Sequence, residues 1–452
     1  MNSKQSSADT IFALASAAGR AGIAVIRVSG PAAAAVLREM CGLSDLADGS
    51  PLDDGLAIRF AGPASFTGED VAELHIHGGR ATVGAVTSAL ARMPGLRLAE
   101  PGEFSKRAFL AGKIDLTEAE AIADLVDAGT DAQRRQALVQ LGGGLAGRLE
   151  GWRAGLIDIL AHTEAWIDFP DEDLPEDVAR AARARISALE AEIRGFLDDN
   201  RRGERLRDGL QIAILGAPNA GKSSLLNAIA ARDAAIVSAT EGTTRDVIEV
   251  HLDLGGWPVT LADTAGLRDA ADDIEREGVR RALDRAGTAD VRLVVFDASR
   301  DPDAASLAQL SAAEGGAVLA IVNKADLIEA PPAEIAGVPV LALSAKTGAG
   351  LPELLRRLEA LAAEIMTGGE GVPLTRLRHR LALTDSADAL ARAAAHGAEA
   401  EAQGAAAGAV AGDSELVAED LRLAARALGR ITGRVDVEDL LDVIFNDFCI
   451  GK

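Results

Sequence analysis

The stretch GAPNAGKSSLLN (216–227) sets Gly216, Gly221, Lys222 and Ser223 at the spacing G-x-x-x-x-G-K-[ST], the spacing of a phosphate-cradling loop. Glycines let successive backbone N–H groups converge on an anion, and the helix that follows adds its positive N-terminal end. Lys222 is then placed to bridge the β- and γ-phosphates of a nucleotide, and the Ser223 hydroxyl to ligate Mg²⁺. Asn219, Ala220, Gly221 and Ser224 complete the residues expected around the phosphates. Standing alone, such a match in a Gly-rich chain could be accidental.

It does not stand alone. DTAG (263–266) ends an apolar run, where Asp263 can hold Mg²⁺ through water and the Gly266 N–H can meet the γ-phosphate, with Thr264 and Ala265 between them. NKAD (323–326) ends another. A carboxylate at Asp326 accepts from both N1–H and the exocyclic amine of guanine but finds no matching donor pair on adenine, so ATP would leave it unpaired. Lys324 can lie over the base and Asn323 can tie the loops together. SAK (344–346) offers the Ala345 N–H to the guanine O6, flanked by Ser344 and Lys346. Four short motifs in this order, each at the end of an apolar run, point to GTP. Between the first two, SATEGTTRD (238–246) places Thr244 to give its hydroxyl to Mg²⁺ and its N–H to the γ-phosphate, the behaviour of a switch that orders with GTP.

One residue type is missing. Many GTPases orient the attacking water with a Gln directly after DTAG, but Leu267 follows here and has no polar group to do so. Hydrolysis then needs another polar group and another positive charge. Asn219 can offer an oxygen to a monovalent cation seated where an arginine finger would act. Glu275 is a candidate to position water, although Asp272, Asp273, Glu275 and Glu277 read equally well as a solvated helix face. Residue chemistry alone does not separate them.

The motifs require elements that can carry them. Between 210 and about 367, LQIAILG, VTLADTAG, VRLVVFDAS, AVLAIVNK and VPVLALSA alternate with helical stretches, which predicts a mostly parallel sheet covered on both faces. Residues 1 to about 115 mix strands and helices. GIAVIRVSG leads into SGPAAAAVLREM, and in DVAELHIHGG Ala72, Leu74 and Ile76 alternate with Glu73, His75 and His77, so one sheet face is polar. Helical patterning follows to about 200, broken by DFPDEDLPED, and NRRGERLRDG reads as a charged hinge. Helix resumes after TGGEGVP, with stripes at Val417, Leu421, Ala424, Leu428 and Ile431 and then at Val437, Leu440, Leu441, Ile444, Phe445 and Phe448. The expected organisation is a nucleotide domain inserted into a helical one.

Bulk properties narrow the class. A net charge of -23 argues against a surface that grips nucleic acid throughout, since that needs clustered Lys and Arg. Cys41 and Cys449 are the two cysteines and allow no disulfide framework, as expected in a reducing cytosol. No apolar run approaches the roughly 18 residues that span a bilayer, and the N-terminus does not read as a signal peptide. A cytoplasmic protein without a membrane segment is expected.

Taken with PGEFSKRAFLAGKIDLTEAEAIADL and the terminal FCIGK, the motifs GxPNxGKSSLLN, GTTRD, DTAGLR and NKAD resemble the tRNA modification GTPase family called MnmE or TrmE over essentially the whole chain. The resemblance implies an N-terminal α+β tetrahydrofolate-binding and dimerisation domain (1–116), a helical domain in two parts (117–209 and 369–452) and an inserted P-loop GTPase domain (210–368). It implies a homodimer with K⁺-stimulated GTP hydrolysis. It also implies a heterotetramer with an FAD-containing partner, MnmG or GidA, for carboxymethylaminomethyl modification at C5 of the tRNA wobble uridine, the one-carbon unit coming from 5-formyltetrahydrofolate or a related folate. Carried over by position, the K⁺ ligands fall on Asn219, Ser238, Thr240 and Thr243, the Mg²⁺ ligands on Ser223 and Thr244, and the water-positioning acid on Glu275. The folate contacts fall on Arg27, Glu73, Lys113 and Lys452. Glu241, in the switch, departs from the small or uncharged residue expected there.

Other residues read more plainly. Cys449 follows an apolar stripe with no nearby His, so a packing role is preferred to a nucleophile. His75 and His77 lack further ligands at metal spacing, and Arg134–Arg135 and Arg201–Arg202 read as solvated charges. Two rival functions are a ribosome-assembly GTPase of the same G-domain class, which should carry a basic RNA-binding module, and a GTP-dependent scaffold without a one-carbon role.

Overall fold

In a computed structural model of the protein, the described residues are 9–40, 51–168, 176–232, 235–236, 249–263, 289–311, 316–368, 372–402, 407–435, 441, 444–446 and 448–451. The elements run β1 (Thr10–Leu14), β2 (Ala21–Ser29), α1 (Ala33–Met40), β3 (Leu56–Phe60), β4 (Val71–Gly78), α2 (Arg80–Arg92), β5 (Leu96–Leu98), α3 (Glu103–Leu110), α4 (Leu116–Asp127), α5 (Asp131–Leu141), α6 (Gly144–Asp168), α7 (Glu176–Leu197) and α8 (Arg202–Asp208). There follow β6 (Leu210–Gly216), α9 (Lys222–Ala230), β7 (Ala235–Ile236), β8 (Glu249–Leu254), β9 (Trp257–Asp263), β10 (Val291–Asp297), α10 (Ala304–Ser311) and β11 (Ala317–Asn323). The last are β12 (Glu334–Ile335), β13 (Val338–Ala342), α11 (Leu351–Met366), α12 (Leu377–Ala402) and α13 (Ala407–Thr432). They group into two compact units: Met1–Ala123 with Leu141–Ala179 and Arg392–Lys452, and Asp124–Gln140 with Arg180–Ala391.

The first unit holds a sheet of order β3-β4-β2-β1-β5 among the described residues. Its β4 alternates as the sequence predicts. Ala72, Leu74 and Ile76 join Ala24, Ile26 and Val28 of β2 in a core closed by Val36 of α1 and Val86 and Leu90 of α2. Glu73 and His75 fall on the opposite face because side chains alternate along a strand. The helices α6 and α13 pack along one another. On α13, Leu421, Ala424, Leu428 and Ile431 are buried, and α6 buries Leu145, Leu149, Trp152, Leu156 and Ile159. These spacings of three and four put each set on one face of its helix. Beyond α13, Leu441, Phe445 and Phe448 pack with Leu116 and Ala119; Val437 and Leu440 of that stripe lie outside the described residues.

The second unit is built on a sheet of order β12-β13-β11-β10-β6-β9-β8-β7 among the described residues. Its central neighbours β9–β6, β6–β10, β10–β11 and β11–β13 are all parallel. One face buries Ile212, Ile214, Leu261, Leu293, Val295 and Ile321 under Leu225, Leu226 and Ile229 of α9 and Leu351, Leu354 and Leu358 of α11. The other buries Val294, Phe296, Ala320 and Val322, with Leu307 and Leu310 of α10 packed against them. Cover on both faces is the reason these strands read as continuous apolar runs rather than as alternating ones.

The stretch expected as a hinge before this sheet is instead the helix α8. Gly203 lies so close to the Leu374 carbonyl that a side chain there would overlap it. Gln136 Nε2 donates to the Gly203 carbonyl at 3.0 Å and Gln133 Nε2 to the Arg207 carbonyl at 2.8 Å. Long-range partners of this kind are invisible to a local reading of Gly and charge. No helix among the described residues is long and apolar enough to cross a membrane.

Candidate nucleotide-binding site

Parallel strands end on the same edge of a sheet, which is where ligands of open α/β folds sit. The register sets Gly216 of β6 beside Val295 of β10, Asp297 of β10 beside Asn323 of β11, and Ile214 of β6 beside Asp263 of β9. The loops that begin at Gly216, Asn323 and Ser344 and the end of β9 at Asp263, far apart in sequence, therefore come to one edge by strand pairing.

At the first loop, Gly216 has φ 140° and Gly221 φ 91°, values that favour glycine. A Cβ at Gly216 would run into the Val295 carbonyl, and one at Gly221 into Asn323 Nδ2. Asn219 adopts φ 62° without being glycine, a conformation Asn tolerates better than most residues. The nearly buried Lys222 donates its Nζ to the Gly216 carbonyl at 2.9 Å and the Ala217 carbonyl at 2.8 Å, so the ammonium is held across the loop. Ser223 and Ser224 are exposed in the first turn of α9. A hydroxyl at a helix N-terminus beside the phosphate loop is a hard oxygen donor suited to Mg²⁺.

Asn323, which is 2% exposed, donates Nδ2 to the Ala220 carbonyl at 2.9 Å and accepts the Ala345 N–H on Oδ1 at 3.0 Å. It joins the phosphate loop to the 344–346 loop, as its position in the sequence suggested. The Ala345 N–H, expected to face guanine O6, is here given to Asn323. Ser344 is buried and its Oγ accepts the Thr347 N–H at 3.2 Å, which shapes the turn that carries Lys346. Lys324 has φ 64°, and its Nζ donates to the Asn219 carbonyl and to Asp297 Oδ2, both at 2.7 Å. Asp326 stands exposed on the single 3₁₀ turn that follows.

Asp297 was not singled out by sequence reasoning, although VRLVVFDAS ends on it as the other runs end on motif residues. Its Oδ1 accepts the Ser299 N–H at 2.9 Å and the Ser299 hydroxyl at 2.7 Å. Burial on its own would raise this carboxyl, but the hydrogen bonds from Lys324 and Ser299 outweigh burial and hold it at about 2. Ser238, Thr240, Thr243, Thr244, Thr264, Ala265, Gly266, Leu267 and Glu275 lie outside the described residues, as does the side chain of Asp263.

A second polar cluster lies on the first unit's sheet. Arg27 and Glu73 face each other across β2 and β4, with Arg27 Nε donating to Glu73 Oε1 at 3.0 Å. The other Glu73 oxygen meets His75 Nε2 at 3.3 Å. The Arg27 guanidinium stands 5.9 Å from the Phe66 ring centroid and 5.8 Å from that of Phe104. Lys113 Nζ donates to the Pro63 carbonyl at 2.8 Å, so the 63–67 loop carries contacts to both basic residues. Cation, carboxylate and aromatic faces together suit a planar, hydrogen-bonding ligand with an acidic tail. The chain's end reaches this unit's sheet region: Ile450 bridges to Pro101, and Gly451 abuts the Leu14 carbonyl. Lys452 lies outside the described residues. His77 pairs with Asp53 at 2.8 Å, Arg134 and Arg135 pair with Asp131, and no cluster of metal-ligating side chains occurs among the described residues.

Comparison with known proteins covers the same ground. The family model for the GTP-binding protein TrmE N-terminus matches residues 10–113, and that for the MnmE helical domain matches 116–449. A tRNA modification GTPase MnmE from Paramagnetospirillum magneticum is 56% identical over 98% of this chain and 100% of its own length. Its counterpart from Parvibaculum lavamentivorans is 54% identical over 98% and 100%. Among solved structures, the G domain of the T. maritima FeoB iron transporter aligns with 34% of this chain and 98% of its own, at 27% identity and a TM-score of 0.27. With relatives this similar from end to end, and a family model spanning most of its length, the chain belongs to the MnmE family of tRNA modification GTPases.

Proposed function

We propose that this GTP hydrolase couples K⁺-dependent hydrolysis to modification of the tRNA wobble uridine, acting as a homodimer with an FAD-containing partner and a tetrahydrofolate one-carbon donor. The observation that carries the nucleotide part is the tie made by Asn323 and Lys324, which lash the 216–221 loop to the 323–326 and 344–346 loops on one sheet edge. Gly216 to Ser224 would cradle the phosphates, Ser223 and Thr244 would ligate Mg²⁺, and Asp263 would reach it through water. Thr264, Ala265 and Gly266 would line the γ-phosphate, with Asp326, Ser344, Ala345 and Lys346 at the base. The segments 1–116, 117–209, 210–368 and 369–452 would serve as folate-binding, helical, GTPase and helical parts.

Leu267 cannot steer water, so the reading gives that work to Glu275 and gives the charge of an arginine finger to K⁺ held by Asn219, Ser238, Thr240 and Thr243. Arg27, Glu73, Lys113 and Lys452 would bind the folate; the flavin, when its partner is bound, supplies redox chemistry. End-to-end identity with tRNA-modification relatives favours this reading over ribosome assembly. The test is GTP turnover with K⁺ replaced by Na⁺, alongside Glu275→Ala. Turnover should fall by at least ten-fold in both cases while GTP binding by the variant persists. Equal rates in the two salts would remove the cation from the mechanism, and an active Glu275→Ala would remove the acid.

A further inference from the structure

We propose that Asp297 is a positioning residue of the nucleotide site, fixing the Lys324 side chain across the phosphate loop so that its stem forms a preset surface for the guanine base. This rests on the nucleotide reading above and extends it to a residue outside the four motifs. Lys324 Nζ is held from two sides, by Asp297 Oδ2 and by the Asn219 carbonyl, each at 2.7 Å. The carboxylate is itself held in place: its side chain is 8% exposed, and Oδ1 accepts both the N–H and the hydroxyl of Ser299. Its backbone is pinned by strand pairing, Asp297 standing opposite Asn323, the residue directly before Lys324.

Lysine has four rotatable side-chain bonds and loses much rotamer freedom when ordered. A base that stacks on an unclamped Lys324 must order it on binding; a base that meets a clamped one need not. Both residues joined by the clamp, Asn219 and Lys324, also hold positive φ without being glycine, so the loops are preset on either side of it. The Asp297 carboxylate contacts Lys324, Ser299 and Arg300 among the described residues, none of which the nucleotide reading assigns to the γ-phosphate, and this predicts an effect on affinity separate from the chemical step.

The experiment measures GTP KM and kcat in saturating K⁺, with equilibrium GDP binding, for wild type, Asp297→Ala, Asp297→Asn, Lys324→Ala and the Asp297→Ala/Lys324→Ala double variant, each checked for an unchanged melting curve. Asp297→Ala should raise KM and the GDP Kd about ten-fold with kcat within two-fold of wild type, the weight of one charge-assisted hydrogen bond. Asp297→Asn, which keeps an acceptor for Ser299, should lie between. In the Lys324→Ala background, Asp297→Ala should add nothing, since the two act as one unit. Additive effects in the double variant, a fall in kcat alone, or unchanged KM in both Asp297 variants would overturn the proposal. A wild-type chain that fails to bind GTP would instead bring down the nucleotide reading, and this inference with it.

Discussion

Asp326 is exposed on a turn whose neighbours are all fixed: Asn323 by Ala220 and Ala345, Lys324 by Asn219 and Asp297. Its carboxylate is thus presented by a rigid support, and under the proposed function it reads the base. Asp326→Asn replaces an acceptor with a group that can donate to a 2-oxo base. GTP affinity should fall at least a hundred-fold and xanthosine triphosphate should bind in its place, as read by competition with a fluorescent nucleotide. Retained GTP preference would take Asp326 out of base recognition. Asp297 has an acid-side signature. Because its folded value of about 2 lies below its ordinary 3.8, the stability it contributes is complete above pH 3.8 and is lost as pH falls through about 2. Between pH 5 and 9 this carboxylate should therefore impose no pH dependence on KM.

Around α8 the charges are paired across large gaps in sequence. Arg380 of α12 donates to Glu204 at 2.8 Å and Asp199 at 2.5 Å, and to the Leu197 carbonyl at 2.7 Å. Arg205 meets Asp290 at 2.6 Å, and Asp290 in turn accepts the Gln211 N–H at the head of β6. Glu204 is 5% exposed; burial would raise it, but hydrogen bonds from Arg380 and Arg201 prevail and its value is lowered. Removing one partner of such a buried pair is costly because the remaining charge stays desolvated. Arg380→Ala should cost about 3 kcal/mol in urea unfolding at pH 7. A lowered carboxylate contributes stability above its ordinary 4.5 and loses it as pH falls through its folded value, so the cost should shrink at pH 3. An unchanged urea midpoint at pH 7 would show that the cluster does not hold α8. None of this is legible in NRRGERLRDG, which reads as a charged hinge until residues some 180 positions away arrive. The β8–β9 hairpin, by contrast, has a local signal, since EVHLDLGGWPVTLAD shows two alternating runs around Gly255–Gly256.

At the scale of the whole chain, residues near the two ends share one unit. Ile450 bridges to Pro101 and Gly451 packs against Leu14, the final residue of β1, while Arg27 and Glu73 pair on the adjoining strands β2 and β4. If this region binds folate, deleting residues 449–452 should weaken 5-formyltetrahydrofolate binding at least ten-fold, and Arg27→Ala should do the same, with GTP affinity untouched in both. Isothermal titration would read this, and undiminished folate binding by both variants would move the folate elsewhere. Under the proposed function, the net charge of -23 fits a division of labour in which the partner makes most contacts with tRNA phosphates.

The sequence by itself determined the central strands of the nucleotide sheet, the polar face of β4 and the kind of chemistry. The apolar runs at 210–216, 291–297 and 317–323 are strands of a sheet covered on both faces, where every residue of such a run can be buried. The alternation at 71–78 placed Glu73 and His75 on a polar face, and the motif spacings named a nucleotide. Tertiary structure decided which side chains meet. Strand register brought Asp297 beside Asn323, and so to Lys324; the Ala345 N–H went to Asn323; Arg380 reached Glu204. Periodicity is a local property that every residue of an element carries. A hydrogen bond between distant residues depends on two elements arriving at one distance and angle, and no short stretch of chain encodes that.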